Sequence, residues 1–555
     1  MPIIFLKHGG GSRAGYKFWT GDRIITVSGS HSGGDREAGS GRPDFDVIVI
    51  GTGLGGAAAG AICARHGLKT LLLEKNPRPG GSCSYYRKQG FQVDAGTHLF
   101  IRGNQGPFGE CTRRLGLGEP IRFVRVNPMT HLRGFNLDLP VPSGWLPKIP
   151  FLIHFLYQAD ISPREYPALL RMFKDMLLMK PRQIEALDKV SLEAFMKRYT
   201  SNIQVLTVIG FLMGLYFVLP IWDASAGESV WNFQKMAASG LTVRYPRGGA
   251  VAIPATFLSG ARKHGAVLRL NAPVKQILVS GQPAAVRGVV LRNGETISAR
   301  AVISTSAVKD TVLGLTGRQH FPAAYLKEVE ALVPSMTAFQ AKIGVRRPLL
   351  RAGSLVGIYP ARRSGDISEA LMRRLYEEAR RGKIGEYVPV YVPVPSNYDP
   401  DLAPPGCQLI TAVAGAPHLD IPLADSPRIW MDRMMTALKG LIPGLAENMI
   451  FCDQWTVRAL ATWIGKSSGA AISTAQTTSQ TGAGRPGHAT PVAGLYLAGD
   501  CAGPARGVGT ELACQSGMDC ADLVAGHLGD GPVKNTGPVN SLPRIFQEIS
   551  GVTIR

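Results

Sequence analysis

Residues 46–56 read DVIVIGTGLGG, and this stretch decides the fold. Its first five residues are a short β-branched run of the kind that fills a parallel strand buried on both faces. The run passes directly into Gly51, Gly53, Gly55 and Gly56, and an alanine-rich segment through Arg65 predicts a helix. After Gly67 a second apolar run, residues 70–73, ends in Glu74. Strand, glycine turn, helix, strand and acid, in about thirty residues, is the order of a dinucleotide-binding unit.

Each position has a mechanical reason. Gly51 allows the tight turn, Gly53 lets the backbone approach a pyrophosphate, and Gly56 lets the helix pack closely on the strand. The helix N-terminus offers unpaired N–H groups and a partial positive charge to the phosphates. Glu74, at the end of the second strand, is placed to accept hydrogen bonds from both ribose hydroxyls of an adenosine, and its charge repels a 2′-phosphate. Gly51, Gly53, Gly55, Gly56, Glu74 and the adjoining Lys75 are therefore candidate cofactor contacts.

The segment C-terminal to Glu74 narrows the cofactor. Residues 75–82 read KNPRPGGS and residues 91–98 read FQVDAGTH. A glycine pair, Gly80-Gly81, soon after the ribose acid resembles the second phosphate and ribityl contact of the amine oxidase and phytoene desaturase class of flavoproteins. Near the other end, residues 494–500 (GLYLAGD) read as a buried strand running into an acidic turn, and Gly507-Val508-Gly509-Thr510 opens a helix-like stretch. This resembles the C-terminal FAD motif of the same class. There the equivalent of Asp500 bonds the ribityl or pyrophosphate region, and the helix behind Gly509 points at the pyrimidine end of the flavin. Between the ends, residues 245–249 (YPRGG) precede a helix and several strands, and in this class the position of Val274 lies at the adenine.

The motif set spans most of 43–530 and resembles the phytoene desaturase superfamily, with its carotenoid isomerases and retinol saturases. Ser82 stands where bacterial phytoene desaturases commonly have Arg, which favours the isomerase and saturase branches. Residues 503–509 (GPARGVG) also depart from the usual desaturase wording. The resemblance implies FAD, contacts at Gly80, Gly81, Ser82, Val274, Asp500 and Gly509, and a hydrophobic polyene or isoprenoid substrate in an apolar tunnel. His98 is the candidate for proton handling, and quinone or oxygen the candidate electron acceptor. A flavin amine oxidase or protoporphyrinogen oxidase is the alternative.

The expected fold is α/β: a discontinuous Rossmann-like FAD domain of the amine-oxidase kind (43–135, 240–310 and 485–530) with a mixed α+β substrate region (136–239 and 311–484). Two apolar runs fit a tunnel, residues 145–157 and 203–222. The second carries no charge and, as one helix, would reach about 30 Å, enough to cross a bilayer. Gly210, Gly214 and Pro220 interrupt it, so a buried, tunnel-lining helix is expected.

Composition agrees. At 555 residues with 45% hydrophobic content the chain can bury a core in each of two or three domains. The formal charge of +21 calls for an anionic surface. No nucleic-acid-binding motif accompanies it, so an anionic membrane is the expected partner of a cytoplasmic, peripherally membrane-associated protein, and the basic pairs at 346–347, 362–363, 373–374 and 380–381 either seat it on that lipid or are solvated faces that aid solubility. The eight cysteines form no CxxC pair, so neither a metal site nor a disulfide framework is expected. Residues 1–42, with runs of Gly and Ser and no secretory h-region, read as a flexible leader, and 531–555 as a C-terminal tail.

Overall fold

The β-branched run becomes the strand Phe45–Ile50, whose last four residues are buried. In the computed structural model it sits inside a seven-stranded sheet. The order is Val267–Arg269, Thr70–Leu73, Phe45–Ile50, Thr296–Ser304, Ala285–Leu291, Val274–Ser280, with Leu495–Leu497 also paired to Thr296–Ser304. The pairings of 45–50 with 70–73 and 299–304, of 70–73 with 267–269, and of 302–304 with 495–497 are parallel. Strands from near the beginning, the middle and near the end of the chain thus share one sheet. The structure describes residues 42–529, apart from 97, 119–120, 135–136, 145–147 and 361–367, and a strand pair at 15–20 and 23–28.

Parallel neighbours need a crossover, and here it is the helix Leu54–Arg65, buried from Leu54 through Ala64. The alanines and glycines that make it small also let the C-terminal helix Gly509–Leu528 lie against it. A Cβ on Gly55 would stand 2.9 Å from the Gly499 Cα, and one on Gly517 would overlap the Gly55 carbonyl. The two glycine motifs therefore meet in space because neither carries a side chain where they cross.

A second seven-stranded sheet runs Met449–Trp455, Thr337–Val345, Gln408–Ala416, Val388–Pro393, Ser354–Tyr359, Thr130–Gly134, Leu137–Val141. Period-two alternation splits its faces. Phe339, Ala341, Ile343 and Val345 pack in one core with Trp430, Met434 and Leu438 of the helix Pro427–Leu441, and the Trp430 and Phe339 rings stack at 5.3 Å. Gln340 and Lys342 alternate with these apolar residues along the strand. The boundary expected at 135 falls between the strands 130–134 and 137–141, which pair with each other and both belong to this second sheet.

The helices Lys148–Gln158, Tyr166–Leu178, Ile203–Phe217 and Ala226–Ala238 form a further layer around a core of their own. The apolar run at 203–222 makes a helix of 15 residues. Asn202 Oδ1 starts it by accepting from the N–H groups of Gln204 and Val205. Val218, left-handed at φ +55°, ends it just ahead of Pro220. At about 1.5 Å per residue it is too short to span a bilayer, and among the described residues no helix is long and apolar enough to cross a membrane.

In the segment expected to be a leader, Gly15–Thr20 and Arg23–Ser28 pair antiparallel, in a unit separate from the one that begins at Asp44. The rest of that leader, the Arg362-Arg363 pair and the tail expected at 531–555 lie outside the described residues. The fold class read from sequence, a Rossmann-like α/β domain with a mixed second domain, is the one observed.

Candidate functional site

One cavity of about 1220 Å³ is bounded by both glycine motifs. Gly51, Gly53, Gly55, Glu74, Lys75, Gly80, Gly81, Ser82, His98, Val274, Asp500 and Gly509 all line it. Gly56 does not; it faces the Gly51 carbonyl, which any Cβ there would overlap. Gly51 itself has φ +95°, and a Cβ on it would stand 2.6 Å from Thr305 Oγ1. Gly53 differs from both. It is the N-cap of the helix with ordinary extended backbone, and a Cβ built on it meets nothing within 4 Å. Packing explains Gly51 and Gly56, while the space beside Gly53 belongs to the cavity.

Glu74 is buried and fixed. Its Oε2 accepts from the Thr52 N–H at 3.1 Å and the Thr52 hydroxyl at 2.5 Å, and its Oε1 from the Asn76 N–H at 2.9 Å. With two bonds already on Oε2, the acceptor site left for a ribose hydroxyl is on Oε1. Thr52, the residue between the first two glycines, was not singled out from sequence, yet it orients the acid. Gly80 and Gly81 both have positive φ, and a Cβ on Gly81 would approach the Gly53 Cα at 3.1 Å, so the second turn lies directly against the first.

From the far end of the chain, Gly509 opens the C-terminal helix with φ +54° and open space beside it. Asp500 Oδ2 accepts from Lys466 Nζ at 2.7 Å and from the Ser473 N–H at 3.2 Å. Glu511, in the first turn of that helix, lines the cavity and pairs with Arg102. The loop ahead of the helix is clamped from the helical layer. Arg506 forms a bidentate pair with Asp188, both bonds 2.8 Å, and the fully buried Glu228 accepts from the Gly507 N–H at 2.6 Å. Lys466, Glu511 and this clamp were missed because the glycine motifs carry no trace of distant partners.

FAD fits these residues. Two helix N-termini with a glycine at the first turn, a fixed acid on a strand end and a glycine turn at 80–81 line a single cavity. Its volume exceeds the roughly 300–1,000 Å³ of ordinary ligand pockets, as an extended dinucleotide requires. Among the described residues no cluster of His, Cys, Asp and Glu could hold a metal ion.

His98 is buried, and neither ring nitrogen has a hydrogen-bond partner in the protein. Burial first, and then the nearby Lys342 charge, push its pKa well below the ordinary range, so the imidazole is neutral at physiological pH. Lys342 is fully buried, donates to the Ala95 carbonyl at 2.8 Å, and is pushed down to about 7 by burial, with the Asp94 charge opposing. Asp94, bonded to the Tyr245 hydroxyl, is pushed up to about 6, again chiefly by burial.

The same cavity is also lined by many apolar side chains, with Glu193, Glu369 and Lys383 among them. Leu206, Leu215 and Leu219 line it from the 203–217 helix and the turn after it, Met372 and Leu375 from the helix Glu369–Arg380, and Pro389, Tyr391 and Val413 from the second sheet. Gly210 and Gly214, one turn apart, line it also. Among the described residues, the other apolar run, expected at 145–157, does not. Its helix buries Phe155 and Leu156 in the helical layer and exposes Leu152, Ile153 and Tyr157, because an amphipathic helix packs only one face.

A model of the flavin-containing amine oxidoreductase family matches residues 54–525. The chain is 23% identical to prolycopene isomerase 2, chloroplastic, of an Oncidium hybrid cultivar, over 92% of this chain and 89% of that protein. It is 24% identical to a zeta-carotene-forming phytoene desaturase of Myxococcus xanthus, over 67% of this chain and 72% of that one. An oxidoreductase of Methanosarcina mazei superposes with a TM-score of 0.61 at 20% identity, covering 85% of this chain and 99% of its own. Putrescine oxidase bound to putrescine does so at 0.60 and 16%, covering 87% and 99%. These two structures bear on the fold alone. Because the family match begins inside the first glycine motif and runs through the helix behind the second, the chain belongs to the flavin-containing amine oxidoreductase family, as an FAD-dependent oxidoreductase.

Proposed function

We propose that this flavoenzyme acts on a long hydrophobic polyene or isoprenoid, by desaturation, saturation or cis–trans isomerisation. One observation carries the reading: the cavity that takes in both glycine motifs is also lined by apolar side chains of the uncharged helix Ile203–Phe217 and of the second sheet. The names of the relatives support it, since they act on carotenoid polyenes. Bound FAD supplies the hydride acceptor or donor. The chain does the rest. Gly53 and the helix N-terminus behind it hold the pyrophosphate, Glu74 holds the adenosine ribose, and Val274 borders the adenine. Gly80, Gly81, Ser82, Asp500 and Gly509 border the remainder, with Lys75 beside the ribose acid. His98, neutral and unpaired, offers a nitrogen that can take up a proton in this cavity. The apolar lining keeps water away from the reacting carbons.

In this reading the core sheet segments form the cofactor domain and the second sheet with the helical layer forms the substrate region. The enzyme works from a membrane surface on the cytoplasmic side, with quinone or oxygen as electron acceptor. Supporting this, the helix Tyr166–Leu178 exposes Leu170 and Leu178 beside Arg171 and Lys174 on one face, a mix of apolar and basic side chains suited to anionic lipid. The test is anaerobic incubation of the yellow protein with polyenes in liposomes. Bleaching of the flavin, or isomer exchange without bleaching, is expected. Peroxide release on adding amines, with no response to any polyene, would overturn the proposal.

A further inference from the structure

Residues 458–467 fall in the part of the chain expected to serve substrate, yet their hydrogen bonds reach across to the nucleotide motifs. Lys75 Nζ, next to the ribose acid, donates to the Thr462 carbonyl at 2.5 Å, and Asn76 Nδ2 to the Trp463 carbonyl at 3.0 Å. The Trp463 indole N–H donates to Ser84 Oγ at 2.7 Å, just past the Gly80-Gly81 turn. Lys466 Nζ donates to Asp500 Oδ2 at 2.7 Å, and the Ser467 N–H to Asp310 Oδ2 at 3.1 Å. The turn is shaped to this purpose: Gly465, left-handed at φ +79°, ends the helix Val457–Ile464 where a Cβ would stand 2.8 Å from Lys75 Cε. Thr462, Gly465 and Lys466 line the cavity, as do Glu74 and Val274.

We propose that residues 458–467 are a strap that closes over the adenosine and pyrophosphate part of bound FAD and retains it, with Lys466 as the positioning residue. The inference rests on FAD binding. Its physical core is charge. The pyrophosphate is anionic, and Asp500 faces the same cavity with a like charge, while one helix N-terminus supplies only about half a positive charge. Lys466 neutralises Asp500 directly. Among the described residues its ammonium has two partners, Asp500 and the Ala471 carbonyl, so the third N–H is left for the cavity. The strap comes from a different layer than the glycine motifs, so the cofactor leaves only when the ties from 462–467 part.

The experiment measures flavin retention rather than turnover. FAD-loaded protein is transferred to flavin-free buffer, and the bound flavin is followed by its absorption spectrum. Lys466→Met is expected to speed release roughly tenfold to a hundredfold, as loss of a charge-assisted bond does. Lys466→Arg should retain flavin nearly as the wild type does. Asp500→Asn placed in the Lys466→Met background should recover part of the loss, because the uncompensated carboxylate is then gone. Trp463→Phe, which removes one indole N–H, should speed release about threefold to tenfold and carries the same test if Lys466→Met does not fold. Folded variants that hold flavin as long as the wild type, or that change only the KM for a polyene, would overturn the strap. A wild-type protein that takes up no flavin would instead overturn the FAD reading beneath it.

Discussion

Replacing Gly53 with alanine separates a cofactor role from a packing role. A Cβ at this position meets no protein atom within 4 Å, and the backbone at φ −60° and ψ 178° suits any L-residue. Alanine for glycine at an N-cap costs roughly 0.5–1 kcal/mol. Restricting the unfolded chain offsets about 0.4–1 kcal/mol of that. Gly53→Ala should therefore fold and melt like the wild type. The methyl group, however, enters the space through which the helix N-terminus reaches a pyrophosphate. Losing two charge-assisted N–H bonds at about 1.5–3 kcal/mol each weakens flavin binding by roughly 10²- to 10⁴-fold. The assay pairs a thermal melt of the apo-protein with flavin titration followed by fluorescence quenching. Gly51→Ala is the contrast, since its left-handed backbone and the Thr305 contact at 2.6 Å make the fold itself suffer. If Gly53→Ala melted normally and bound FAD with wild-type affinity, the assignment of this glycine to the pyrophosphate would be wrong.

Three more outcomes are expected. His98→Gln should keep full flavin content and lose about 10²-fold in turnover. Because burial holds the imidazole pKa well below its usual range, the wild-type rate should show no histidine break between pH 6 and 8 (about neutral, where a free histidine would titrate), and a break there that vanished in the variant would contradict the buried neutral ring. Gly214→Leu, on the cavity wall, should cut kcat/KM for a long polyene by roughly tenfold to a hundredfold with flavin content unchanged; equal activity on that substrate would place its binding elsewhere. Lys342, pushed down to about 7 by burial, binds its proton less tightly folded than unfolded. Its burial therefore costs stability in full below about pH 7, and the cost is relieved as pH rises from there toward about 10. The stability of wild type relative to Lys342→Met should increase over that range in chemical denaturation, whereas parallel pH profiles would rule the buried lysine out.

The strand, glycine turn, helix and acid at 46–74 were legible because local rules suffice: β-branched residues mark a buried strand, and glycine and acid are placed at short, fixed intervals along the chain. The same holds for the strand and acidic turn ending at Asp500. Long-range decisions were not legible. That 145–157 would turn an apolar face to solvent while 203–217 lines the cavity depends on which neighbours cover each helix, and both runs look alike in sequence. Thr52, Lys466, Glu228 and Arg506 matter through partners 22 to more than 270 residues away, and no spacing records such pairings. The sequence by itself determined the dinucleotide-binding unit and the glycines that mark its two turns, because those constraints act within a few residues of backbone. Only the tertiary structure decided what closes over that nucleotide and which apolar segment opens toward it, because burial and charge pairing are properties of packed layers rather than of neighbouring residues.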